Sequence, residues 1–60
     1  MSIFYIHYKC LKDGKTVQET DDKRNLFASR KEAKDLADES VACFNAGCKI
    51  GVWSYAIKRL

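Results

Sequence analysis

The apolar-rich residues 3–10, IFYIHYKC, are dominated by aromatic and β-branched side chains, which predicts a strand. Phe4, Ile6, Tyr8 and Cys10 fall on one face of it; Ile3, Tyr5 and His7 fall on the other. Asp13-Gly14 follows, a pair suited to the positive-φ positions of a two-residue hairpin turn. A turn on that pair sets Lys12 against Lys15, Leu11 against Thr16, Cys10 against Val17 and Tyr8 against Glu19. The second strand, about 15–20, is short and mostly polar, as an edge strand should be, and the polar run DDKRN leads away from it.

The period then changes. Ser29 followed by Glu32 is a capping box. Beyond it Ala33, Leu36, Ala37, Ser40, Val41 and Phe44 recur at helical spacing, while Lys31, Lys34, Asp35, Asp38 and Glu39 occupy the solvated side. Gly47 is expected to end the helix as a left-handed C′ residue, which places the helix at about 30–46. CKIGVWSYAIKRL restores the strand pattern over about 49–58, with Ile50, Val52, Ser54 and Ala56 on one face and Trp53, Tyr55 and Ile57 on the other. The fold class is therefore α+β, with the order β-β-α-β. The helical crossover returns the third strand to the free edge of the first, giving a three-stranded antiparallel sheet of order 2-1-3 with one helix packed on one face.

Composition narrows the setting. Sixty residues, 47% hydrophobic and 32% charged, suit one small domain over 1–60 whose core is thin. No stretch approaches the roughly 20 apolar residues of a membrane span, and MSIFYIHYK does not read as a secretion signal. Three cysteines make a poor disulfide framework and point to reduced thiols in a cytoplasm. The net charge of +3 comes from eleven basic and eight acidic residues well mixed along the chain, short of a nucleic-acid-binding stripe.

The segment CFNAGC, residues 43–48, raises the question of chemistry. With Gly47 at C′, Cys43 is C3 and Cys48 is C″, positions that a Schellman ending often brings into apolar contact. Helix termination alone thus accounts for the spacing. A zinc site from His7, Cys10, Cys43 and Cys48 needs His7 and Cys10 on one side, yet three residues apart on a strand they point to opposite faces. A Cys43–Cys48 disulfide fits the motif sterically, as an oxidation product. The geometry that disfavours zinc also disfavours a Cys–His nucleophile, and no third orienting group appears. The sequence points to no catalytic residue, no metal and no cofactor.

What remains is binding. Small residues fit beneath a helix, so Trp53, Tyr55 and Ile57 are expected to join Ile3, Tyr5 and His7 on the open side of the sheet. Grouped there, they would form a patch of several hundred Å², about the most that soluble monomers expose. A second copy packed sheet-on-sheet, or a larger protein, would cover it. Lys23, Arg24, Arg30, Lys31 and Lys34 gather around the helix start, where free amides and basic side chains suit an anion or an acidic partner. The expected function is that of a small non-catalytic accessory or inhibitory protein that homodimerises, docks on a larger protein, or both. Neither a membrane nor a small-molecule substrate is expected. The alternative is a nucleic-acid-binding module, with aromatics stacking bases and Lys9, Lys49, Lys58 and Arg59 at the margin.

Overall fold

The structure, a computed structural model, describes residues 2–47 and 51–60. Its elements are β1 (Phe4–Lys12), β2 (Lys15–Phe27), α1 (Arg30–Gly47) and β3 (Val52–Arg59). The strands form one antiparallel sheet in the order β2-β1-β3, and the helix covers one face. This is the α+β arrangement that the sequence pattern predicts.

Asp13 and Gly14 adopt φ values of 54° and 78°, so the turn forms where expected, and Lys12–Lys15 and Leu11–Thr16 pair as expected. One residue further the register shifts. Val17 is an extra residue on β2; Cys10 then lies opposite Gln18, Lys9 opposite Glu19, Tyr8 opposite Thr20 and His7 opposite Asp21. The expected Cys10–Val17 and Tyr8–Glu19 pairs do not form. An unbroken register would have placed Glu19 opposite Tyr8 and Asp21 opposite Ile6, on the helix side. The bulge carries both carboxylates to the other face, beside Lys9 and His7. β2 also continues through DDKRN, which is strand and not connection. Asp22 faces Ile6 in the same register; a second irregularity, between Phe4 and Ile6, brings Phe27 opposite Phe4, and Phe27 anchors the strand end against the core.

Ser29 caps α1: its Oγ accepts the Glu32 amide proton at 3.2 Å and its carbonyl accepts that of Ala33 at 3.3 Å. Ala33 and Ala37 are fully buried, and Leu36, Ser40 and Val41 are half-buried. Gly47 is the last helical residue and has no positive φ, so the left-handed C′ ending is not adopted there. The proposed contact of Cys43 with Cys48, and the placement of Lys49 and Ile50, lie outside the described residues.

Phe4, Ile6, Tyr8 and Cys10 of β1 and Ala33 and Ala37 of α1 make the buried core. Trp53, Tyr55 and Ile57 pack against it, which reverses the expected facing of β3. They stand opposite Cys10, Tyr8 and Ile6, and opposed residues of an antiparallel pair share a face. The small residues beneath the helix belong to the helix itself. Ala33 and Ala37 bring α1 close and leave room for large rings below, while Val52, Ser54 and Ala56 turn outward. Close packing recurs at Gly51, where a Cβ would lie 2.4 Å from the Leu11 carbonyl oxygen, so that only glycine fits. Among the described residues no helix is long and apolar enough to cross a membrane.

The accessible surface is 4473 Å² for 6.9 kDa, against about 4,000 Å² for a typical compact monomer of that mass. The molecule is elongated, 38 × 19 × 17 Å, with a Cα radius of gyration of 11.8 Å where about 10 Å is usual. One helix on three strands leaves one side of the sheet uncovered.

Candidate functional site

The uncovered side is built from the outward positions of all three strands. β1 contributes Tyr5, His7, Lys9 and Leu11, all half-buried; β3 contributes Val52, Ser54, Ala56 and Lys58, all exposed; the bulge adds Glu19 and Asp21 from β2. At its centre the His7 ring lies between two carboxylates. Nδ1 is 2.5 Å from Asp21 Oδ1 and Nε2 is 3.3 Å from Glu19 Oε1. A neutral imidazole can donate to only one of them, whereas the imidazolium donates to both. The hydrogen bond from His7 is the main reason that the Asp21 carboxyl is held below its ordinary value. Burial partly opposes the shift, and the His7, Lys23 and Lys58 charges reinforce it.

Beside this cluster lies a shallow depression of about 320 Å³ lined by His7, Lys9, Glu19, Ser54, Tyr55, Ala56 and Lys58. Lys23 sits over the Tyr5 ring, 5.2 Å from its centroid. At one end of the sheet Ser2, Ile3, Leu26, Phe27 and Ala28 line an apolar hollow, where the Leu60 amide donates to the Ile3 carbonyl at 2.8 Å.

The six residues expected to form one aromatic patch are thus divided. Ile3, Tyr5 and His7 are on the open side, as the alternation of β1 predicts. Trp53, Tyr55 and Ile57 are beneath the helix. The Trp53 ring lies 5.4 Å from Phe44, which also meets Tyr8 edge-on at 5.4 Å. The Tyr55 hydroxyl donates to the Asp38 carboxylate of α1. That bond, with burial and the nearby Asp38 and Asp35 charges, raises the tyrosine above its ordinary 10.0. Sheet-on-sheet packing of an aromatic patch is therefore not what this face offers: its surface is a charged and hydrogen-bonding one.

The basic set is divided as well. Arg30 stacks its guanidinium over Phe4, 5.0 Å from the ring centroid, on the helix side; Lys23 lies over Tyr5 on the opposite side. Arg24, Lys31 and Lys34 are exposed. Packing on Phe4 accounts for an arginine at the first position of a helix, where the dipole favours acids. His7 is on the open face, Cys10 is buried under the helix and Cys43 is exposed on it; among the described residues no three ligand side chains converge on a metal position.

Two features escaped sequence reasoning. The His7–Asp21–Glu19 cluster depends on the bulge at Val17. Asn45, within CFNAGC, turns its amide to the backbone of β3: Oδ1 accepts the Trp53 N–H at 2.7 Å and Nδ2 donates to the Trp53 carbonyl at 3.3 Å. No protein-family model, curated protein or solved structure matches this chain.

Proposed function

We propose that this chain is a small non-catalytic binding domain, acting as an accessory or inhibitory factor, that presents the helix-free face of its sheet to a protein surface. The observation that carries this reading is the uncovered face itself. Tyr5, Lys9, Ser54 and Lys58 surround a histidine already oriented by two carboxylates, on a strand that is packed on its other side. Such a face recognises a partner through placed charges and hydrogen bonds, with little rearrangement on docking. The partner is a larger protein or a second copy of the chain. A cytoplasmic setting fits the thiols of Cys10 and Cys43.

The test is a partner captured from the native host, identified, purified and titrated with variants. Lys58→Glu and His7→Ala should each weaken binding by at least about tenfold, while Lys34→Ala on the exposed side of α1 should leave it unchanged. Equal affinity for all three would overturn the assignment of the face.

A nucleic-acid reading draws on one specific observation, the Tyr5 ring flanked by Lys23 with Lys9 and Lys58 nearby. Glu19 and Asp21 stand beside Lys9 and His7 on the same face and oppose a phosphate backbone. Titration with single-stranded oligonucleotides at low salt separates the two readings, because a stacking platform would bind them and lose them steeply as salt rises.

A further inference from the structure

The free edge of β3 has two distinct halves. Leu60 donates to Ile3, and Trp53 gives its N–H and C=O to Asn45 rather than to β1. Backbone groups of a strand alternate in direction. Val52, Ser54, Ala56 and Lys58 therefore bond to β1, and Trp53, Tyr55, Ile57 and Arg59 direct their N–H and C=O outward. The Asn45 amide closes this edge at Trp53, as a neighbouring strand would. From Tyr55 to Arg59 no described residue bonds to the outward groups. The pairing of β3 with β1 is regular throughout, with none of the bulges that interrupt β2. A regular edge with open donors and acceptors is a template for another strand.

We propose that the Tyr55–Arg59 edge is a self-association site, at which β3 of a second copy adds antiparallel to give a continuous six-stranded sheet. The inference rests on the reading of this chain as an association module and locates its self-contact. One two-fold register uses every open group and leaves the Asn45 clip intact: Ile57 faces Ile57 of the second copy, and Tyr55 faces Arg59 of the second copy. In that register Ala56 faces Lys58 of the second copy, and no like charges are directly opposed. The two cations, Lys58 and Arg59, lie at one end of the strand, so antiparallel addition separates them, whereas parallel addition would set them side by side. The helix lies over the face of the sheet: it meets β3 at Trp53 and, through Asp38, at the Tyr55 side chain, and its start lies over Phe4 of β1, while the outward backbone groups lie in the plane of the sheet. Excess surface and a thin core favour the assembly.

Sedimentation equilibrium up to millimolar protein tests the proposal. The chain should have the mass of a dimer. A 60-residue chain is accessible to chemical synthesis, and a copy carrying an N-methyl group on the Ile57 amide keeps every side chain while losing one outward donor; it should be monomeric with an unchanged circular dichroism spectrum. Ala56→Lys, at an exposed position, sets two like-charge pairs across the join and should weaken the dimer roughly tenfold, with Lys58→Glu in the same chain restoring it. A monomeric wild type, or a dimer indifferent to N-methylation, overturns the edge. So does a dimer that Ala56→Lys leaves as tight as before. None of these results depends on whether a larger protein binds the open face, so this inference and the functional reading fail separately.

Discussion

Asp21 is the residue on which the open face turns, because its carboxylate fixes the His7 ring that stands at the centre. Its pKa is lower in the folded chain than the ordinary 3.8, mainly through the His7 hydrogen bond. A lowered acid contributes stability that is present above the unfolded value and lost as pH falls through the folded one. The difference in stability between the wild type and Asp21→Asn should therefore shrink as the pH falls below 3.8 toward the lowered value of the folded chain. Urea unfolding at a series of pH values measures it, and a difference that persists undiminished at the acid end removes His7 as the cause. This pairing could not be read from residue types alone. His7 and Asp21 are fourteen positions apart, and an unbroken alternation of β2 directs Asp21 to the opposite face until the bulge is counted. No local signal marks the bulge: the helix side of β2 carries exposed Gln18 and Thr20 and half-buried Asp22, so burial alone does not keep carboxylates from it.

At the level of elements, what was legible was local. The Asp13-Gly14 turn and the Ser29 cap need only neighbouring residues, and both form as their chemistry requires. The facing of β3 was not legible, because both of its sides carry apolar residues. Long-range pairing decides it: Trp53 falls opposite buried Cys10, and the alanines of α1 make the space. The helix ending was misjudged because glycine tolerates left-handed φ without requiring it, and Gly47 simply continues the helix. The bulge gives a direct test of register. Deleting Val17, an exposed and unpaired residue, should leave a folded protein with Asp21 still opposite His7. Deleting Thr20 shifts Asp21 opposite Tyr8, breaks its bond to His7 and should lower the stability more than the Val17 deletion does. Thermal melts of the two deletions distinguish them, and similar melting temperatures would count against the register.

For the whole molecule, the governing fact is that a single helix covers a single side. The count of coverings was readable from the chain; the chemistry of the uncovered side was not, since it depended on which way Trp53, Tyr55 and Ile57 turned. An elongated chain with few buried side chains gains stability from anything that binds only its folded form. The melting temperature should accordingly rise with protein concentration for the wild type, and Ala56→Lys should need roughly tenfold more protein for the same rise. A concentration-independent wild-type midpoint would show that association adds nothing to the fold.

The two margins of the sheet are unlike. β2 is broken twice in its pairing and carries Lys15, Glu19, Asp21, Asp22, Lys23 and Arg24, and such a charged, irregular border rejects a stacking neighbour. In the proposed dimer, two copies joined along β3 would each turn such a border to the solvent and leave no matching edge for a third.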